Sequence, residues 1–325
     1  MDEQYQAITS GVGFARLEDQ TLIEVRGEDR AAFLHNLCTN DIRGLKPGAG
    51  CEAFFTNVQG KILAFANVFC GPQSIVLETV PGQAEALLAQ LDRYLIREDV
   101  QLLDRTSEWS QTVVAGSQTP DTLASVTSED PAGAPWNGGL WSHAVARVAD
   151  HEVAICRVPL LGSECWVLRG EQQAVSAADS ALESAGAVAC DAQTVEMVRM
   201  ECGTPLYGRD ISDANLPQEV DRDETAISFV KGCYLGQETV ARIDALGHVN
   251  KVLRGVRLAG DEVPAPGTAL TQDGSDVGHV TSSIFSSRLS APLAIAYVRR
   301  GHQDVATRLE SPVGAAEVVA LPLSP

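Results

Sequence analysis

Apolar periodicity changes character once along this chain, near residue 250, and that change sets the fold class. Upstream, "TLIEV" at 21–25 reads as a strand, and "GEDRAAFLHNLCTND" then puts Phe33, Leu34 and Leu37 at helical spacing. "AFANVF" and "SIVLETV" read as further strands, and "GQAEALLAQLDRYL" lines Ala84, Leu87, Leu88, Leu91 and Leu95 along one helical face. The succession returns in "ECWVLRG" and "EQQAVSAADSALESAG", where Gly186 is placed to stop the helix. Downstream, "KVLRGVRLAG", "DVGHVTSSIFS", "APLAIAYVRR" and "AEVVALPL" follow one another with no helix between them. The pattern predicts an α+β fold. Two strand-then-helix units, a weak internal duplication, occupy residues 1–250, and a small C-terminal antiparallel barrel or sandwich occupies 251–325. Between the two units, residues 117–139 carry three prolines and three glycines, a composition that predicts turns and a subdomain junction.

Charge and cysteine usage remove several function classes. Asp plus Glu outnumber Lys plus Arg by 43 to 24, a net charge of −19 with no basic block, which disfavours nucleic acid because such binding neutralises phosphates. No run approaches the roughly 20 apolar residues of a membrane-spanning helix, so no membrane partner is expected. The start, "MDEQYQAITSG", lacks the basic and apolar parts of a secretory signal, so a cytoplasmic location is expected. The eight cysteines stand singly, with no pair at the two-residue spacing of zinc ribbons or redox disulfides, and no metal site is predicted. An iron–sulfur cluster, if involved, belongs to a partner or is shared between molecules.

Two segments hold candidate chemistry. In "DAQTVEMVRMECGTPLYGRDISDANLPQEV", Asp191 suits a helix N-cap and Gly203 the helix end, leaving Glu201 beside a loop that holds Tyr207, Arg209 and Asp210. In "SFVKGCYLGQETVARI", Phe229 and Val230 read as the end of a buried strand, and a helix beginning at Gln237 would set Cys233 and Lys231 near its positive end. A cationic neighbour and exposed N–H groups would lower the Cys233 pKa, yet a cysteine between glycines equally suits a tight turn. The residue types leave both readings open. No Walker loop or dinucleotide fingerprint occurs, and none of the six histidines stands in a recognisable Cys–His signature.

At these residues the sequence resembles the YgfZ-type folate-binding proteins, relatives of the aminomethyltransferase (T-protein) of the glycine cleavage system. "KGCYLGQE" followed by Arg242 matches the signature of that branch, while "GEDRAAFLHNLCTND", "RMECGTPLYGRD" and "LPQEV" are similar to blocks found across the family. The resemblance implies a three-part ring around a central channel that takes a tetrahydrofolate cofactor. By similarity, Glu201 is expected at the pterin edge with Tyr207 packing nearby, and Lys231, Arg209 and Arg242 near the anionic tail. Tyr234, Gln237 and Glu238 join them as folate-binding candidates, and Cys233 with Lys231 forms the candidate catalytic pair. A pterin edge needs a carboxylate accepting two hydrogen bonds, and a glutamate tail needs a cation, so the residue types agree.

One departure separates the branches. Transferases resemble "N-x-x-G-G-I-x-D-D", whereas this chain reads "NVQGKILAF", which sets Ala64 and Phe65 at the acidic pair. Neither can act as a base. The resemblance therefore implies an accessory protein for iron–sulfur assembly or maintenance, with iron–sulfur client or assembly proteins as partners. Two alternatives are a one-carbon transferase acting on another amine and a folate-binding module without catalysis.

Overall fold

The computed structural model describes residues 2–128 and 138–323, so the middle of the expected junction, 129–137, lies outside the described residues. The chain begins with helix α1 (Asp2–Ser10) and strands β1 (Gly13–Leu17) and β2 (Thr21–Arg26). Next come α2 (Arg30–His35), β3 (Ala49–Thr56), β4 (Ile62–Cys70), β5 (Ser74–Thr79), α3 (Ala84–Asp92), β6 (Gln101–Asp104) and β7 (Trp109–Ala115). Helix α4 (Thr119–Val126) precedes β8 (His143–Val148), β9 (His151–Arg157), β10 (Cys165–Glu171), α5 (Gln172–Ser184), β11 (Val188–Ala189) and α6 (Ala192–Glu201). A connecting stretch carries α7 (Asp223–Ala226) and α8 (Gln237–Leu246). Strands β12 (Lys251–Leu258), β13 (Ala269–Gln272), β14 (Ser275–Ser286), β15 (Ala291–Arg299), β16 (Arg308–Ser311) and β17 (Gly314–Val319) finish the chain.

These strands form three sheets. One has the order β3-β4-β5-β2-β6, the second β11-β1-β7-β10-β9-β8, and the third closes as the barrel β12-β15-β14-β13-β16-β17. The α+β class and the C-terminal barrel agree with the sequence pattern, with β13 and β16 supplying two short strands that the pattern did not mark. The two units are interleaved. Strand β1 sits in the second sheet between β11 and β7, so the chain visits that sheet before building the first.

Helices cover one face of the first sheet, whereas the second has α4 and α5 on one face and α1 and α6 on part of the other, and strand alternation fixes what faces the interlayer. In the first sheet Ile23, Val25, Ala64, Ala66, Ile75 and Leu77 share a core with Phe33, Leu34, Leu87 and Leu91 from the α2 and α3 regions. The alternate positions then point at the second sheet, and they include Glu24, Glu52, Asn67 and Glu78. In the second sheet Val114, Ile155, Trp166 and Leu168 pack with Leu123 of α4 and Ala178 and Leu182 of α5. Its opposite face presents Val113, Ala115 and Val167, and by the same alternation Gln111 and Arg169. The interlayer between the sheets is therefore rich in charge.

Two local expectations change. Thr119–Val126, where composition predicts turns, is the helix α4, because Pro120 in the first turn has no partner to lose and Leu123 is fully buried. Phe229 and Val230 are not a buried strand: they are 46% and 97% exposed in an irregular loop.

Glu201 joins three parts of the molecule. It ends α6 and accepts hydrogen bonds from Tyr5 Oη of α1 (2.6 Å), Ser286 Oγ of the barrel (2.6 Å) and the Arg288 backbone N–H (3.3 Å). The Arg288 guanidinium stands 3.8 Å away, and the Leu323 N–H donates to the Glu201 carbonyl at 2.8 Å. Burial pushes the Tyr5 hydroxyl pKa up, and the Glu201 bond pushes it further, so the phenol remains a donor. Hydrogen bonds to a charged group contribute about 1.5–3 kcal/mol each. Glu201→Ala is therefore expected to destabilise the fold by about 2 kcal/mol or more in chemical denaturation.

Candidate functional site

The interlayer contains a cavity of ≈ 100 Å³. Phe65 and Asn67 of β4, Glu78 of β5, Gln111 of β7, and Tyr207 and Arg222 from the connecting stretch contribute to its wall. Its volume is smaller than the roughly 150 Å³ space that holds one benzene ring, and the cavity shares wall residues with a larger groove. Its charged members are held in place. Glu52 accepts two hydrogen bonds from Arg222, at 2.9 and 2.8 Å, and a third from the Thr225 hydroxyl. Glu78 accepts from Arg169 in a buried ion pair. Burial alone would lower the Arg169 pKa, but Glu78 overrides it and the guanidinium stays charged.

Two larger spaces adjoin this cavity. A groove of ≈ 610 Å³ between the second unit and the barrel shares Pro159 and Arg222 with it, and adds Arg254, Asp221 and Cys202. Arg254 pairs with Asp221 at 2.5 Å, and the Asp221 side chain is 58% exposed. Further along the interlayer a groove of ≈ 820 Å³ is lined by Phe69, Trp109, His143 and Arg169. Arg169 lies over the rings of Phe69 and Trp109, 5.6 and 5.7 Å from their centroids. The Glu78–Arg169 pair thus separates the cavity from this second groove, since each partner lines one side.

The octapeptide "KGCYLGQE" lies elsewhere, stitched to α2 and to the β3–β4 turn. Lys231 Nζ donates to the carbonyls of His35 (2.5 Å), Cys38 (2.8 Å) and Asn40 (2.7 Å), which satisfies acceptors left over at the end of α2. It also stands 4.9 Å from the Tyr234 ring centroid. Burial lowers the Lys231 pKa. With its three donors used on carbonyls, this lysine clamps the α2 terminus. Gly236 has φ +82, and a Cβ there would come within 2.5 Å of the Asn57 carbonyl oxygen and 2.8 Å of Gly60 Cα. Gly232 faces open space. Leu235 N donates to Asn36 O at 2.9 Å, and Thr56 Oγ1 donates to Leu235 O at 2.6 Å. Helix α8 begins at Gln237 as expected, and Gln237 Oε1 accepts from Tyr234 N at 3.3 Å.

The structure brings together only part of the predicted set. Tyr207 lines the cavity; burial, then Asp213, raises its pKa. Glu201 does not line it, because α6 turns that side chain towards α1 and the barrel. Arg209 is half-exposed and pairs with Glu196 at 3.1 Å. Tyr234 is buried behind the cavity in an apolar cluster, while Glu238 and Arg242 are exposed on α8. Cys233 is exposed and does not share a space with Glu201. The residues missed by sequence reasoning are Glu52, Asn67, Glu78, Gln111, Arg169 and Arg222. The signal for Asn67 and Glu78 was a polar residue following an apolar run within a strand, as in "AFANVF" and "SIVLETV".

The two glycines of the octapeptide should respond differently. Gly236→Ala forces a left-handed backbone and a clash, so a loss of at least about 1–3 kcal/mol is expected, whereas Gly232→Ala should stay within about 0.5 kcal/mol. The thiols should also separate. Burial pushes Cys156 and Cys165 up to about 12 and Cys190 and Cys202 up to about 11, and raises Cys38, Cys51 and Cys70 as well. Iodoacetamide at neutral pH should therefore modify Cys233 at least about tenfold faster than any other cysteine, with the fast phase absent in Cys233→Ser.

Comparison with known proteins agrees with this architecture. Residues 1–228 match the family described as the GCVT N-terminal domain, and residues 251–324 match the glycine cleavage T-protein C-terminal barrel domain. A chloroplastic protein of Arabidopsis thaliana described as a transferase is 25% identical over 300 residues, covering 92% of this chain and 68% of that one. The aminomethyltransferase of Streptomyces coelicolor is 27% identical over 335 residues, covering 98% and 88%. The crystal structure of the glycine cleavage system aminomethyltransferase T from Bartonella henselae superimposes with a TM-score of 0.86 at 19% identity, covering 99% of this chain and 89% of that one. No helix among the described residues is long and apolar enough to cross a membrane. With both family domains matched in order along the chain, this protein belongs to the glycine cleavage T-protein family.

Proposed function

We propose that this protein binds a reduced folate across the inner cavity and the adjoining groove, and serves iron–sulfur enzymes as a cytoplasmic accessory protein without transferring a one-carbon unit. The observation that carries the binding is the cavity itself, lined by polar groups of both sheets and sharing its wall with the larger groove. Its residues fit the chemistry of a pterin. A carboxylate (Glu78) and two carboxamides (Asn67 and Gln111) suit an edge that mixes donors and acceptors, and the Tyr207 ring offers a packing surface. The p-aminobenzoyl-glutamate part belongs in the adjoining groove, where Arg254 would meet its carboxylates by exchanging the exposed Asp221 for them. Bound folate would supply a one-carbon carrier or a redox-active pterin. The chain's own groups hold it and exclude water.

Two features argue against transfer. A base for amine chemistry must be free to take a proton, and both cavity glutamates are committed to guanidinium groups, while Ala64 and Phe65 stand where the transferase signature carries acids. An amine donor arriving from the second groove would meet the Glu78–Arg169 pair before it reached the cavity. Cys233, exposed on a loop fixed by Lys231, Tyr234 and Gly236, is then the group available to iron–sulfur partners. It works outside the cavity.

Tetrahydrofolate at 100 times its dissociation constant should stabilise the protein by about 2.7 kcal/mol, read as a rise in thermal midpoint. No methylene-tetrahydrofolate should form from a panel of N-methyl amines; its appearance would replace this reading with the transferase one. In a deletion strain, client iron–sulfur activity should return with the parent gene and not with Cys233→Ala.

A further inference from the structure

Gln111 is 3% exposed, lines the inner cavity, and its Nε2 makes no hydrogen bond among the described residues. It lies in the middle of the second sheet, paired in register with Leu17 of β1 on one side and Arg169 of β10 on the other. Its sequence neighbour Thr112 points to the opposite face, where its hydroxyl donates to Asp179 at 2.6 Å. The carboxamide therefore stands beside the Glu78–Arg169 pair, yet neither partner satisfies its nitrogen. An unpartnered buried amide nitrogen costs a protein about 1–3 kcal/mol. A strand position between Leu17 and Arg169, above Val113, would accommodate leucine or methionine without that cost.

We propose that Gln111 is a specificity-determining residue that reads the edge of the bound ring. It recognises a lactam-type edge, with a ring N–H beside a carbonyl or the equivalent donor–acceptor pair. Whichever way the carboxamide is turned, it offers one donor and one acceptor side by side, which is the complement of such an edge. Glu78, with one oxygen on Arg169, lies next to it for an additional N–H. A hydrocarbon ring of the same size would leave the Gln111 amide nitrogen unpaired, so the cavity selects a polar heterocycle over an apolar one. The inference rests on the reading that a pteridine occupies this cavity, and it assigns the recognition to a residue that the sequence did not mark.

The test compares the parent protein with Gln111→Leu and Gln111→Met, using calorimetric titration with tetrahydrofolate, with pterin alone and with p-aminobenzoyl-glutamate alone. Both variants should melt at a higher temperature than the parent without ligand, because an unpartnered amide has been removed. Both should bind tetrahydrofolate and pterin at least tenfold more weakly, while p-aminobenzoyl-glutamate binding stays within twofold of the parent. Opposite movements of stability and affinity would not come from a merely structural glutamine. Equal affinity of parent and variants for tetrahydrofolate overturns the role of Gln111 and leaves the folate reading standing. Failure of the parent itself to bind tetrahydrofolate or pterin overturns the folate reading, and this one with it.

Discussion

The ion pair between Glu78 and Arg169 is the constraint around which the two open sheets are organised. It spans the interlayer, with one partner on a central strand of each sheet, and both side chains are 6% exposed. A lone charge in that position would be driven neutral or out of the layer, so each residue makes sense only with the other. The same rule repeats at Glu52 with Arg222 and at Glu24 with Arg105 and Arg26. In each case an acidic side chain of the first sheet meets an arginine, and three of those arginines come from outside the sheet's strands: Arg169 from β10, Arg222 from the connecting stretch and Arg105 from the β6–β7 connection. Apolar contacts on the outer faces hold each sheet to its helices. The charged contacts of the inner faces set how the parts meet, and they leave the cavity where the interlayer is not filled.

That division explains which features could be read from the sequence. Helix faces such as Leu87 with Leu91, and strands such as Ile75 with Leu77, follow from local spacing, because what they bury lies on one side of their own element. The barrel was legible for the same reason: its strands alternate and no helix interrupts them. Chain order misled where sheets share strands, since nothing in "GVGFARLED" shows that β1 will sit between β7 and β11 of a sheet completed 170 residues later. The polar wall was visible as residues but not as a site. Glu78 in "SIVLETV" and Gln111 in "SQTVVAG" look like the outward positions of half-exposed strands, and only the second sheet turns them inward.

The octapeptide teaches a different lesson about signatures. Its residue types left a reactive thiol and a tight turn both open, and geometry assigns most of them to holding a loop. Lys231 closes the end of α2, Tyr234 fills an apolar cluster, and Gly236 lets the 57–60 turn approach closely. Glu201 likewise drew its candidacy from the company it keeps in sequence, but its carboxylate is consumed in tying α1, α6 and the barrel together. A demanding packing role restricts residue choice as strongly as chemistry does, and spacing alone cannot separate the two. Cys233 differs from its neighbours in this respect: it is exposed and makes no hydrogen bond among the described residues.

Cavity and thiol are nevertheless joined by packed side chains. Phe65, on the cavity wall, stacks on Phe54 with centroids 4.8 Å apart, and Phe54 shares an apolar cluster with Tyr234, the residue after Cys233. Tyr207 lines the cavity and packs on the same cluster. A ring bound against Phe65 and Tyr207 would press on a close-packed body whose far side carries the Cys233 loop, and close-packed interiors transmit such displacements instead of absorbing them. The clamp of Lys231 on three carbonyls keeps the near end of that loop fixed, so any movement is confined to the few residues around Gly232, where a side chain would meet open space. The cavity and the Cys233 loop therefore lie at the two ends of one path of packed side chains.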